Sequence, residues 1–224
     1  MEVLKTFRHE YKYVMPYGDS LKLRNKLDEL LVLDRGSPYP VRSMYFDSVD
    51  DTDYYDKQDG VIHRKKIRLR IYDPLSDFCK LEMKEKYDYH QLKSSLILNR
   101  REAEKVINGD ISFLLEKGSD VANKIYLVMK EGHYIPKVII EYDRAAYINT
   151  GTTTRITFDF NIKESHDFEK FFTNDINYIS CTDPKDMVLE VKFDRFLEPY
   201  ISNVLKDYQN RFQSVSKYVM GRNI

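Results

Sequence analysis

The sequence lacks a net charge, because its 36 lysine and arginine residues are balanced by 36 aspartate and glutamate residues. It therefore lacks the long-range field with which strongly basic proteins attract nucleic acids or membrane surfaces. Any cationic character must be local, as in a cleft or channel that concentrates the field.

Cysteines and long apolar runs are also scarce. Cys79 and Cys181 fit no metal-ligand or redox spacing, and without a signal peptide they indicate reduced thiols in a cytoplasmic protein. No apolar run approaches the length needed to span a bilayer, so any membrane association would require a membrane-protein partner. No linker-like change in composition divides the 224 residues, which predicts one domain over 1–224.

The stretch from Val61 to Asp73 has a strict alternation of charge and apolarity. Read with the period of two of a β-strand, it has an apolar face that carries Ile67, Leu69 and Ile71. The opposite face carries Arg64, Lys66, Arg68, Arg70 and Tyr72. The stretch 78–87 repeats the pattern, and turn residues at 73–77 separate the two. We therefore expect an antiparallel hairpin.

The cationic face of this hairpin requires a counter-charge. Neighbours on one face of a strand lie about 7 Å apart, where like charges repel by roughly 0.6 kcal/mol in water and roughly 2 kcal/mol in a partly enclosed groove. A solvated sheet face is the simpler alternative, since one-sided sheets are common, but such a face normally includes acids. Here only Glu82 is acidic. The pattern favours an external anion, and phosphate suits rigid arginine forks best.

Further extended segments carry charge on one face, at 7–15, 40–47, 95–98, 135–148, 153–162 and 187–193. Helices are predicted from Asp19 or Ser20 to about Leu33, within 103–129, and in the tail at 198–208 and from Ser214. The acidic stretch 50–60 is predicted to be a solvated loop, because its spacing does not match a calcium loop. Together these patterns predict an α+β fold in which a sheet closes into a barrel whose apolar outer face is covered by helices.

The chain resembles a known family through the motifs EYKY, SMYFD, KIRLRIY, LEMKEK, EYDRAAY, RITFD, LEVKF and SKY. None of the eight is specific alone, but together, in this order, they closely resemble the VTC domain, the polyphosphate polymerase domain of the vacuolar transporter chaperone family. That family belongs to the triphosphate tunnel metalloenzymes, or CYTH proteins. The resemblance implies an antiparallel β-barrel that binds ATP, triphosphate or polyphosphate along its axis, with Mn²⁺ or Mg²⁺ held by a glutamate.

The resemblance also implies roles for individual residues. The catalytic phosphate clamps would be Arg68, Arg70, Lys84, Arg144 and Arg155. Further phosphate-binding residues would be Lys12, Lys93, Tyr142, Lys192, Ser216 and Lys217. Glu190 would bind the metal, with Glu10 and Glu82 as helpers. Ser214 departs from the pattern, because some polymerases have a lysine there, and this weakens the expectation of processive synthesis.

The implied reaction is transfer of the γ-phosphoryl group of ATP to phosphate or polyphosphate without a covalent intermediate. The chain offers many cations but no convincing nucleophile, and its five histidines have no paired or metal-binding spacing. One alternative is hydrolysis of inorganic triphosphate, and another is a polyphosphate-binding module without turnover, which Glu190 disfavours. A nucleic-acid enzyme is disfavoured by the neutral charge and by the lack of an aromatic platform among the basic residues.

Overall fold

An antiparallel sheet of eleven strands is the framework of the protein, and the computed structural model describes residues 4–6, 8–34, 36–87, 90–183 and 185–223. The strands are β1 (Leu4–Thr6), β2 (Arg8–Pro16), β3 (Val32–Leu33), β4 (Tyr39–Asp47), β5 (His63–Ile71), β6 (Phe78–Tyr87), β7 (His90–Asn99), β8 (Ile135–Ile148), β9 (Arg155–Ser165), β10 (Ile179–Ser180) and β11 (Asp186–Asp194). Their order is β1-β7-β6-β5-β4-β8-β9-β11-β2, with β10 on β9 and β3 on β8. Phe7, predicted to begin the first strand, lies outside the described residues.

The predicted hairpin is confirmed. β5 and β6 pair so that Arg68 lies opposite Glu82 and Lys66 opposite Lys84. The alternating apolar residues, such as Leu69, are buried on the other face of the sheet. β7 extends over ten residues rather than the predicted 95–98, because polar residues at its start conceal the alternation.

The sheet is antiparallel and covered by helices as predicted, but it does not close into a continuous barrel. β1 pairs with β7, and β2, which begins two residues after β1 ends, pairs with β11. The two outermost strands of the sheet, β1 and β2, are thus consecutive in sequence. Among the described residues no ladder joins β2 to β7. The C-terminal segment partly covers the free edge of β2, since Phe212 bridges Tyr13 and the Gln213 amide donates to the Lys12 carbonyl. That edge is occupied by the chain's own tail.

Helices cover the outer face of the sheet, as predicted. They are α1 (Tyr17–Asp28), α2 (Thr52–Gln58), α3 (Arg100–Ile107), α4 (Phe113–Glu116), α5 (Asp120–Glu131), α6 (Pro199–Leu205) and α7 (Lys217–Met220), with 3-10 turns at 168–170 and 206–211. α3 to α5 pack on the β5–β7 side, where Ile125 joins Leu81 in one core cluster. α1 and α6 pack on the β2–β11 side, where Leu23 joins Leu189 in another. No helix among the described residues is long and apolar enough to cross a membrane.

Several predicted helix boundaries are wrong. α1 begins at Tyr17, before the predicted cap at Asp19 or Ser20, and the Ser20 hydroxyl donates to the Tyr17 carbonyl inside the first turn. It ends at Asp28, and residues 32–33 form β3 instead of a last helical turn. Leu30, which the predicted helix included, lies beyond the end of α1 and is 39% exposed. The second tail helix begins at Lys217 rather than Ser214.

The acidic stretch 50–60 is not a solvated loop, because it contains α2. The Asp47 carboxylate at the end of β4 accepts hydrogen bonds from the backbone amides of Ser48, Asp53 and Tyr54 at 2.7, 2.9 and 2.9 Å. These bonds satisfy amides that the start of a helix leaves free. Asp53 of α2 is buried, so part of the acidic charge is structural.

Candidate active site

The inner face of the sheet surrounds a cavity of about 160 Å³. Seven strands and the start of α7 contribute to its wall, which includes eight cationic side chains and two carboxylates. The lining residues are Glu10, Lys12, Tyr45, Lys66, Arg68, Arg70, Lys84, Gln91, Tyr142, Arg144, Glu190, Lys192, Ser216 and Lys217. Successive residues of a β-strand point to opposite faces of the sheet, so the strand residues of this list alternate with residues that are buried on the outer face.

Eleven of the fourteen predicted site residues line this cavity, and the other three, Glu82, Lys93 and Arg155, do not. Three lining residues, Tyr45, Lys66 and Gln91, were not predicted. Lys66 shares the alternation of Arg68 and Arg70, so the pattern could have identified it. Tyr45 could not be found this way, because every residue from 41 to 47 is buried and the strand shows no polar face.

Glu190 is surrounded by four cations of the cavity. One carboxylate oxygen lies 3.2 Å from Lys217 Nζ and 3.7 Å from Lys12 Nζ. The other lies 3.0 Å from Lys192 Nζ and 3.7 Å from Arg144 Nη2. Burial opposes ionisation of Glu190, but these cations hold its pKa well below the ordinary value. Glu190 is therefore an ionised carboxylate that keeps several cations in place.

Glu82 is the centre of a second cluster, on the same face of β6 as Lys84, although Glu82 itself does not line the cavity. Its carboxylate lies 2.7 Å from Arg68 Nη2 and 4.0 Å from Arg70 Nη1, and it forms an ion pair with Lys93. Burial opposes ionisation, but Arg68 and Arg70 lower the pKa of Glu82. Arg68 is consequently fixed in one orientation. Lys93 contacts the site only through this glutamate among the described residues.

Asp159 is a buried acid that the predicted set of site residues did not include. Arg144 donates two hydrogen bonds to it, from Nε at 2.6 Å and from Nη2 at 2.7 Å, and Lys217 forms an ion pair with it. Despite burial, Lys217 and Arg144 lower the pKa of Asp159. Asp159 lies two residues after Thr157 on β9, so both point to the same face of the sheet. This spacing could have identified Asp159 as an inward-facing acid from the sequence.

Two cations of the cavity, Lys66 and Lys84, form no close ion pair with an acid among the described residues, although Glu10 attracts Lys84 at longer range. Lys66 Nζ donates to Ser216 Oγ at 2.6 Å, and Lys84 lies opposite Lys66 in the register of the hairpin. Burial, reinforced by nearby cations, lowers the pKa of Lys66 to about 7 and lowers the pKa of Lys84 well below its ordinary value. The protein thus neutralises part of its cationic face internally and leaves the rest for an anion.

Arg155 lies outside the cavity wall. Its Nη2 donates to Asp34 Oδ2 at 2.7 Å and to Tyr39 Oη at 3.0 Å. Its neighbour across the ladder, Lys192, does line the cavity. The phosphate-clamp role of Arg155 stays a prediction.

The carboxylates of the cavity offer a metal ion few protein ligands. Among the described residues, no three acidic, histidine or cysteine side chains form a group that could hold a metal, and Glu82 is engaged by Arg68 apart from the others. Glu10 and Glu190 both face the cavity, and Lys192 lies 3.5 and 3.0 Å from them. Two carboxylates suit Mg²⁺ or Mn²⁺, which take their remaining ligands from water and substrate phosphates. Glu10 and Glu190 fit a metal that binds together with phosphate.

Comparison with known proteins agrees with this geometry. No curated protein matches the chain. A candidate adenylate cyclase from Bacillus halodurans has a similar structure, with a TM-score of 0.54 at 12% identity over 95% of each chain. A second candidate adenylate cyclase, from Vibrio parahaemolyticus, has a TM-score of 0.50 at 11% identity over 97% of this chain and 98% of its own. The model of the VTC domain matches residues 7–224. The chain therefore belongs to the VTC-domain family and has the triphosphate tunnel fold.

Proposed function

We propose that this VTC domain is an ATP-dependent polyphosphate polymerase. The observation that supports it is the cavity wall, in which cations outnumber carboxylates by eight to two. Among the described residues of that wall, none is a histidine or a cysteine. Such a wall suits phosphoryl transfer between bound phosphates better than chemistry through a protein nucleophile.

In this proposal the acceptor phosphate oxygen attacks the γ-phosphorus of ATP. A bond forms between them while the bond to the β–γ bridging oxygen breaks, and ADP leaves with the electron pair. Charge develops on the transferring oxygens, where fixed cations stabilise it most. Arg68 and Arg144 are held in place by Glu82 and Asp159, so little reorganisation is needed when the reaction occurs.

Lys66 and Lys84 would bind the most highly charged phosphate group. Both are half-buried among other cations and form no close ion pair with an acid among the described residues, so an anion beside them would supply a favourable interaction that the cavity wall does not. Glu10 and Glu190 would hold Mn²⁺ or Mg²⁺, whose charge would offset that of the phosphates when bound.

The test is incubation of the purified protein with ATP and Mn²⁺, followed by gel electrophoresis of the products. We expect phosphate chains longer than triphosphate, and we expect Lys84→Met to abolish them. Lys105→Met, on the outer helix α3, is the matched control and should behave as wild type. Release of free phosphate from triphosphate without chains would indicate a triphosphatase instead. Binding without turnover would indicate a polyphosphate-binding module.

A further inference from the structure

An apolar groove of about 460 Å³ adjoins the cation-lined cavity. Arg70 lines both spaces. The groove includes Tyr72, Phe78 and Ile97, which are 45%, 62% and 68% exposed. Exposed apolar side chains clustered beside a charged site are uncommon without a ligand or partner to cover them.

The groove continues the inner face of the β5–β7 strands. Arg70 lies opposite Lys80, and Lys80 lies opposite Ile97. Tyr72 and Phe78 are each two residues from one of these positions, which is about 7 Å along a strand. The inner face thus changes from cationic to apolar within one repeat.

One aromatic ring of the groove is fixed, and another is free. Tyr72 meets Tyr39 edge to face at 6.0 Å, and Lys80 Nζ lies 5.7 Å from the Tyr72 ring centroid. For Phe78, the described residues include no aromatic or cationic partner. Since Phe78 is mostly exposed, a planar group could stack on its ring without displacing an aromatic or cationic partner.

We propose that this groove holds the base of ATP while the triphosphate lies in the cavity. The inference rests on the proposed function, which requires a nucleotide donor. A nucleobase is planar and uncharged, and Arg70, which lines both spaces, would lie between the base in the groove and the phosphates in the cavity. Inorganic triphosphate and polyphosphate have no group that would occupy the groove.

The arrangement also corrects an expectation drawn from the sequence, in which no aromatic platform accompanies the basic residues. Tyr72 directly follows β5, and Phe78 begins β6. The hairpin brings them together beside Arg70.

Calorimetric titration with ATP and with inorganic triphosphate tests the groove. Stacking of a base on an aromatic side chain contributes enough that Phe78→Ala should weaken ATP binding about fivefold or more. Triphosphate binding should not change. Phe78→Tyr retains a ring and should retain ATP affinity, and Leu127→Ala, an exposed residue of α5 on the outer side, should alter neither ligand.

Equal ATP affinity in wild type and Phe78→Ala would overturn the inference, as would equal weakening of both ligands. Dissociation of a wild-type dimer by Phe78→Ala with unchanged ATP binding would also overturn it, since a second copy would then cover the groove. Failure of the proposed function is distinguishable. Absence of polymer with an intact effect of Phe78→Ala on ATP binding rejects only the polymerase, whereas polymer formation with unchanged KM for ATP in Phe78→Ala rejects only the groove.

Discussion

The charge state of each buried lysine in this cavity depends on its acidic neighbours. Burial alone lowers a lysine pKa, but Asp159 and Glu190 more than offset it for Lys217, whose pKa is raised. Lys66 has no such neighbour among the described residues, and its pKa falls to about 7. Two lysines of one wall thus respond differently to pH.

We expect triphosphate affinity to fall as pH rises through about 7, because Lys66 then loses the proton that anion binding requires. The unfolded chain keeps Lys66 near 10.5, so between about 7 and 10.5 it binds more protons than the fold does. The free energy of unfolding of the empty protein should therefore rise with pH across this window.

Calorimetry in two buffers of different ionisation enthalpy measures the coupled proton uptake above pH 7. Lys66→Gln should take up fewer protons than wild type when triphosphate binds. Equal uptake in the two proteins would show that Lys66 is not the titrating group.

Glu190→Gln should abolish turnover without abolishing anion binding. The substitution removes a carboxylate of the proposed metal site and leaves Lys12, Lys192 and Lys217 less neutralised. Triphosphate should therefore bind as tightly as in wild type or more tightly, while the melting temperature of the empty protein falls. Turnover and titration calorimetry are the measurements, with Glu116→Gln on α4 as the control. Full activity in Glu190→Gln would reject its role with the metal.

At the scale of elements, α2 and the C-terminal segment form one unit. Tyr218 Oη donates to Asp47 Oδ2 at 2.6 Å, and Arg222 donates to both carboxylate oxygens of Asp51 at 2.9 Å. These contacts dock α7, which carries Lys217 into the cavity. The acids around α2 therefore act at a distance on the cation-lined cavity.

Arg222→Ala should weaken triphosphate binding by about two- to fivefold, the range of a partly exposed ion pair, although Arg222 does not line the cavity. Lys137→Ala is the matched control, because Lys137 pairs with the same Asp51 at 2.8 Å but lies on β8 rather than the C-terminal segment. Calorimetry and limited proteolysis of the C-terminal segment are the measurements. Equal effects of both variants would argue against docking of α7 as the cause.

The success of prediction differed between elements for a physical reason. The β5–β6 hairpin was predictable because one face packs into the apolar core and the other lines the cavity. Apolar and charged residues therefore alternate along each strand. β4 was predictable as a strand, but its faces were not, because both are buried. α2 was missed because the acidic composition of the stretch indicates only a polar loop. In the structure, Asp47 accepts hydrogen bonds from backbone amides of α2, and Asp53 is buried.

At the scale of the whole molecule, the absence of net charge coexists with a strongly cationic interior surface. Because the wall of the empty cavity repels itself, triphosphate should stabilise the fold by RT ln(1 + [L]/Kd), which is about 2.7 kcal/mol at a hundredfold excess over Kd. Sulfate cannot contact several clamps at once and should stabilise far less.

A thermal-shift series with triphosphate, sulfate and single phosphate at equal concentration checks this. Added salt should reduce the triphosphate effect as it screens the charges. A triphosphate shift no larger than that of sulfate would contradict binding across the cavity.

The sequence by itself determined the antiparallel strands, the cationic face and most of the inward-facing residues, because strand periodicity is a local property of the chain. It also identified the family, through short motifs in order. Three features could be seen only in the folded protein: which acids neutralise which cations, that the N-terminal strands occupy both ends of the sheet, and that Tyr72 and Phe78 line one groove beside Arg70. Those features depend on distances between residues far apart in sequence, such as Arg144 and Lys217 at Asp159, and no local pattern contains such distances.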